Sequence, residues 1–303
     1  MGDTSLPTEN PSFVLKALKE VALETIPTPK IQNPYDVIVQ IAQTGICMSD
    51  VHYWQRGRIG DFILTSPIVL GHESSGTVVE IGTSVKNLKL GDRVAIEPGV
   101  PCRHCDYCRS GGYNLCADTV FAATPPHNGT LSKYYLTSAD YCYPLAEHLT
   151  LEDGALCEPV AVGVQICKVG QVKMNQNVVV FGCGTIGLLC QAVAKAAGAK
   201  KVIGVDMSEK RMALATGLGY ADYTFAPPMM GAVTEGLNKE DAEVEWNGKV
   251  AEMIKEKFGL GEGPDVVLEC TGAQSCIQTG VQLVKKGGMY VQAGMGREVR
   301  GNA

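Results

Sequence analysis

No stretch of this 303-residue chain approaches the ~20 consecutive apolar residues of a membrane-spanning helix. The opening residues, M-G-D-T-S-L, have neither a basic start nor an apolar core, so no secretory leader is expected. Leu6 stands where a myristoylation signal needs serine or threonine. No lysine and arginine stripe is present, and 32 acidic residues against 26 basic ones leave a net charge of −6. That balance argues against nucleic acid and against an anionic membrane surface as partners. Internal repeats and low-complexity tracts are missing as well. With 45% hydrophobic and 19% charged residues the chain is not a disordered polymer. Its length is that of about two domains.

What stands out instead is 35 glycines and 12 cysteines. Four cysteines, Cys102, Cys105, Cys108 and Cys116, fall close together, and the rest are scattered. A secreted disulfide scaffold would be shorter and more evenly stapled. Local clustering without a leader reads as metal binding in a reducing, cytoplasmic compartment. Each two-residue gap aims a pair of sulfurs at one point, and the fourth thiolate closes a tetrahedron. Four thiolates with no open position predict a structural zinc site. An iron–sulfur cluster, which uses different spacings, and four unliganded thiols are the alternatives.

The two halves read differently. Residues 1–150 are rich in strands and turns, with strands predicted at 36–41 and 76–81. Beyond residue 160, runs at 177–181, 201–206, 222–225, 265–270 and 289–293 read as strands. Helices are predicted at 188–197, 249–258 and from the Ser208 cap to residue 217. A further helix at 159–170 bridges the halves. Alternating strands and helices imply a parallel sheet covered on both faces. A complete doubly wound dinucleotide fold has six strands in the order 3-2-1-4-5-6. Five are found, and the chain ends in a polar tail, so the sixth is expected to be absent.

Gly182-Cys183-Gly184-Thr185-Ile186-Gly187 is a G-x-G-x-x-G element that follows a predicted strand and opens a predicted helix. Gly182 allows the tight turn, Gly184 lets backbone approach a pyrophosphate, and Gly187 lets helix and strand pack closely. The helix N-terminus offers free N–H groups to the phosphates. Asp206, 19 residues after Gly187, would accept from the adenosine ribose hydroxyls. Its charge repels a 2′-phosphate, which favours NAD over NADP, and Arg211 would flank the adenine. A glycine-rich turn without a cofactor is the plain alternative.

Cys47, His72, Glu73 and Glu158 each sit in a suggestive setting although they are far apart in sequence. A catalytic zinc takes about three protein ligands and keeps one position open, which suits polarisation of an alcohol. From spacing alone, His72 could equally be a core histidine and Glu73 a solvated one.

Longer segments then speak together. They are G-I-C-M-S-D-V-H-Y-W-Q-R-G-R-I-G-D-F at 45–62, V-L-G-H-E-S-S-G at 69–76 and G-D-R-V-A-I-E-P-G-V-P-C at 91–102. F-A-A-T-P-P-H-N-G-T at 121–130 and E-P-V-A-V-G-V at 158–164 join them, as does the glycine element. On these segments the chain resembles the zinc-containing medium-chain alcohol dehydrogenases, and within them the polyol branch. The resemblance implies an α/β protein with a GroES-like, β-rich catalytic domain at 1–159, whose structural-zinc lobe spans about 99–118. A Rossmann doubly wound parallel sheet lacking its last strand would follow at 160–303, with the site in the cleft between the domains.

The same resemblance implies two zinc ions and NAD. Cys47, His72 and Glu73 would hold the catalytic zinc, with Glu158 as a further ligand or as the group holding its water. Ser49 and His52 would relay the hydroxyl proton, and Tyr53 and Phe121 would border the substrate. Ile186, Asp206, Arg211 and the stretch 293–295, with Gly294 at its centre, would touch NAD. The implied reaction is oxidation of xylitol to D-xylulose. Sorbitol or L-arabinitol oxidation, and a silent homologue that binds NAD and zinc, stand as alternatives. The implied partner is a small polyol. Homo-oligomers, expected for the family, would lose their pairing edge without the last strand.

Three departures from the family pattern are visible. Met48 replaces the usual glycine beside Cys47, where its side chain would crowd the substrate or shift the thiol. Gln165 replaces a histidine. Similarity stops near Gly296, so a truncated or alternatively spliced product with reduced or no activity is expected.

Overall fold

The computed structural model describes residues 6–230 and 238–296. The first five residues and the polar tail from Arg297 onward, both read above from sequence, lie outside the described residues. The chain divides into two compact units, Met1–Glu158 and Pro159–Ala303.

The first unit is built on antiparallel β-structure. Five strands pair in the order Tyr134–Ser138, Asp36–Gly45, Glu73–Ile81, Arg93–Ile96 and Cys142–Pro144. Val37, Val39, Val78, Val94 and Ile96 fill the core of this sheet. A second sheet joins the hairpin Glu9–Ala17 and Glu20–Pro27 to Ile68–Val69. One register matters for function: Asp36–Gly45 and Glu73–Ile81 run out of pairing at Gly45↔Glu73. The segments carrying residue 47 and residue 72 therefore leave the sheet side by side.

The second unit is a five-stranded parallel sheet among the described residues. Its order is Tyr223–Phe225, Lys201–Val205, Asn177–Phe181, Val266–Glu269 and Met289–Gln292, which is 3-2-1-4-5 in chain order. Both faces are covered, as the continuous apolar strands demand. Val179 and Phe181 point to one face, where Val250, Ala251, Ile254 and Leu283 pack. Val178 and Val180 point to the other, against Cys167, Cys190 and Ala194. Strands one and four are neighbours, so the strand order reverses between them. In such folds ligands bind outside the carboxyl ends of the strands at that reversal.

Two helices begin eight or more residues before their predicted starts. The bridging helix runs Leu151–Val169, not 159–170, and carries Pro159 in its interior. Its start is set by a reciprocal cap. Thr150 N–H donates to Asp153 Oδ2 at 2.8 Å, and Asp153 N–H donates to Thr150 Oγ1 at 3.1 Å. Glu158 consequently sits inside a helix, where its backbone is fixed, instead of ahead of one. Similarly, the helix predicted at 249–258 extends over Lys239–Phe258, because Asn238 caps it by accepting from Asp241 N–H at 2.9 Å.

Candidate active site

Cys47 is the N-cap of helix Met48–Arg56, immediately after the strand that ends at Gly45. His72 precedes, and Glu73 opens, the neighbouring strand. One sulfur, one imidazole nitrogen and one carboxylate oxygen of Cys47, His72 and Glu73 lie within 4.8 Å of one another. Asp50, buried, fixes this convergence. Cys47 N–H donates to its Oδ2 at 3.1 Å and Gly71 N–H to its Oδ1 at 2.9 Å. One carboxylate thus ties together the two turns that deliver the three donors.

The electrostatics of the trio fit a cation. Burial pushes the Cys47 thiol up, with the Glu73 and Asp50 charges adding to it, although Ser49 hydrogen bonds oppose the rise. Burial also raises Glu73, while the His72 charge opposes that rise. Burial raises Glu158 too, and the Glu73 charge adds to it. Acidic groups crowded this way resist ionising together, and a divalent ion removes that resistance. Three donors of types S, N and O leave the fourth tetrahedral position open. Glu158 is near enough to feel His72 and Glu73, yet it stands outside the group of three donors.

Helix Met48–Arg56 also carries the remaining polar candidates. Ser49, His52 and Tyr53 are three and four residues apart and share one face. His52 is lowered by burial and then by the Arg56 charge, which favours its neutral imidazole. The Tyr53 ring is buried with Leu15, Ile68 and Leu70, and its hydroxyl meets the Thr124 side chain. Phe121 lies against His72, with ring centroids 5.7 Å apart.

The four-cysteine lobe is formed as a second donor group. Cys102, Cys105, Cys108 and Cys116 bring their sulfurs within 4.8 Å of one another. Backbone N–H groups point at the sulfurs: Cys105 N–H donates to Cys102 Sγ at 3.3 Å and Cys102 N–H to Cys116 Sγ at 3.4 Å. Such donors stabilise thiolates, which suits a closed tetrahedral ion. Arg103 anchors the lobe through Asp140, with its Nη2 donating to Oδ1 at 2.8 Å.

In the second unit, the glycine element turns from strand Asn177–Phe181 into helix Thr185–Ala196. Gly182 has φ +97°, a conformation that other residues rarely adopt. A β-carbon on Gly187 would lie 1.9 Å from the Gly182 carbonyl, so only glycine fits there. A β-carbon on Gly184, by contrast, would meet nothing, which leaves a cradle of backbone ahead of the helix N-terminus. Asp206 is aimed at this turn: Cys183 N–H donates to its Oδ2 at 2.7 Å and Ser208 N–H to its Oδ1 at 2.8 Å. Ile186 is half-buried, and Arg211 is exposed one turn into the helix that Ser208 caps. Gly294 packs against Gly272 beyond the ends of strands four and five. The cradle, the free helix terminus and the acid fit a dinucleotide.

The alcohol dehydrogenase GroES-like domain family matches residues 33–147, and the zinc-binding dehydrogenase family matches residues 185–301. D-xylulose reductase A of Aspergillus niger is 48% identical over 289 residues, which are 95% of this chain and 76% of that protein. The chain belongs to the zinc-binding dehydrogenases. Probable D-xylulose reductase A of Arthroderma otae is 49% identical and covers 96% of this dehydrogenase and 77% of its own length. The crystal structure of L-idonate 5-dehydrogenase from Escherichia coli aligns with a TM-score of 0.78 at 30% identity, covering 96% of this chain and 78% of that one.

Several residues of the dehydrogenase are explained only by its structure. Met48 is 62% exposed, and Cys47 keeps its place in the donor trio beside it. Gln165 is exposed on the bridging helix. Sequence reading passed over Asp50, although an acid three residues after Cys47 is a capping-box spacing that signals this contact. It also passed over Glu269, a charged residue ending an otherwise apolar strand. No described helix is long and apolar enough to cross a membrane.

Proposed function

We propose that this chain oxidises the secondary hydroxyl of a polyol to a ketone with NAD and zinc, and that xylitol to D-xylulose is its foremost reaction. The observation that carries this reading is the convergence of Cys47, His72 and Glu73 with one position open. The names of the relatives at 48% and 49% identity support the choice of polyol. Zinc held by those three residues would supply Lewis acidity that lowers a hydroxyl pKa toward neutrality. NAD seated on the turn 182–187 would supply the hydride acceptor.

The chain's own groups do the rest. The neutral imidazole of His52, on the same helix face as Ser49, accepts the hydroxyl proton by way of the Ser49 hydroxyl. Glu158, held on a helix and biased by burial toward its protonated form, orients water or substrate at the open position. The Tyr53 hydroxyl and the Phe121 ring border the polyol, and Phe121 shields the His72 imidazole from water. Atoms balance as alcohol plus NAD giving ketone, NADH and one proton. A reducing compartment such as the cytoplasm suits this reading, because it keeps the clustered cysteines of both donor groups available to zinc.

The test is NADH formation by the purified chain with xylitol, sorbitol and L-arabinitol. Turnover fastest with xylitol, abolished by a chelator and restored by zinc, is expected. NADH formation that survives complete zinc removal contradicts the reading, as does no turnover with any polyol.

A further inference from the structure

Glu269 ends strand Val266–Glu269 as a carboxylate with 0% exposure. Among the described residues no lysine or arginine pairs with it. Neutral donors hold it instead. Thr271 N–H donates to Oε1 at 2.8 Å, and the Thr271 hydroxyl donates to the same oxygen. Gly272 N–H donates to Oε2 at 2.9 Å, and Gln292 Nε2 donates there at 2.7 Å. The main-chain carbonyl of Glu269 accepts from Ala293 and Gly294 N–H, each at 2.8 Å. One residue therefore gathers the segment after its own strand and the segment after the neighbouring strand.

The gathered segments are tightly registered. A β-carbon on Gly294 would lie 2.1 Å from Gly272 N and 2.8 Å from Glu269 Oε2. Thr271 Cγ2 stands 3.0 Å from where a β-carbon on Gly182 would be, so the cluster abuts the first glycine of the phosphate turn. All of this lies at the carboxyl ends of strands one, four and five, beside the reversal of strand order. A buried ion that can only accept hydrogen bonds is stable only while every donor stays in place. The charge thus fixes the donors as firmly as the donors fix the charge.

We propose that Glu269 is a positioning residue for the dinucleotide, locking residues 270–272 and 292–294 into the shape that receives it. Fully enclosed, Glu269 cannot touch the cofactor and acts through these segments. The inference rests on the NAD-dependent reading above. A glutamine here is no substitute. Its NH2 group would replace either Oε1 or Oε2, and so would face the backbone N–H of Thr271 or of Gly272, neither of which can turn away.

Calorimetric titration of the zinc-loaded chain with NADH, without polyol, tests this. Glu269→Gln should weaken NADH binding about tenfold. Gln292→Leu, which removes a single donor, should weaken it less. Leu283→Ala, a buried core change away from these segments, serves as a control of lowered stability with wild-type NADH affinity. Wild-type affinity in Glu269→Gln overturns the proposal, and so does equal weakening in Leu283→Ala. If Glu269→Gln does not fold, wild-type affinity in Gln292→Leu overturns it instead. A wild-type chain that binds no NADH overturns the cofactor reading itself.

Discussion

Glu73 Oε2 occupies the space where a β-carbon on Gly45 would stand, 2.2 Å from that position, and the two residues are paired across neighbouring strands. The close approach involves the tip of a side chain, not backbone. Alanine at residue 45 therefore displaces the carboxylate while leaving the strands in register. Gly45→Ala is expected to weaken metal binding at the donor trio by roughly 10–100-fold. Unfolding stability of the metal-free protein should stay within about 1 kcal/mol of wild type. Chelator competition and urea unfolding measure the two effects separately.

The four-cysteine lobe should behave independently of the trio. Cys105→Ser removes one of four converging sulfurs and the hydrogen bond between Cys105 and Cys108, which spans 3.4 Å. Bound zinc should fall from two ions per chain to one, and the unfolding midpoint should drop by roughly 5–10 °C. Metal content and thermal unfolding test this together. Loss of both ions would mean that the lobe also shapes the trio.

We propose that Asp206 sets the cofactor preference by charge. Its carboxylate already accepts from Cys183 and Ser208 N–H, so it is held in place before any ligand arrives. Asp206→Ser keeps a hydrogen-bonding group and removes the repulsion of a 2′-phosphate. The ratio of kcat/KM for NAD to that for NADP should fall by about 100-fold. Steady-state kinetics with both cofactors decide it.

The acid limb of turnover should follow His52. Burial and then the Arg56 charge hold its imidazole below the usual histidine range. A proton acceptor works in its neutral form, above its pKa. Arg56→Gln removes the second cause, raises that pKa, and should move the acid limb of kcat/KM to higher pH. An unmoved limb would take His52 out of the proton path.

The Rossmann half was legible because its strands are buried on both sides. Residues 177–181 are nearly all β-branched or aromatic, and the strand Asn177–Phe181 occupies those positions. Helix Gln274–Leu283 went unread, since Q-S-C-I-Q-T-G-V-Q-L has few strong helix formers and owes its shape to packing on the sheet. Pro159 suggested a helix start, and the Thr150 and Asp153 cap overrode it. The trio was invisible to spacing alone. Cys47 and His72 meet through the register of two strands that are distant in sequence, so their settings grouped them only weakly and the family resemblance is what assigned them to one ion beforehand.

Anomalous scattering at the zinc edge, from crystals of the zinc-loaded chain, tests the proposed chemistry most directly. Two peaks are expected. One lies in the four-cysteine lobe, and the other stands about 2.3 Å from Cys47 Sγ and about 2.0 Å from a His72 nitrogen. A single peak in the lobe, with Cys47, His72 and Glu73 unligated, would contradict it.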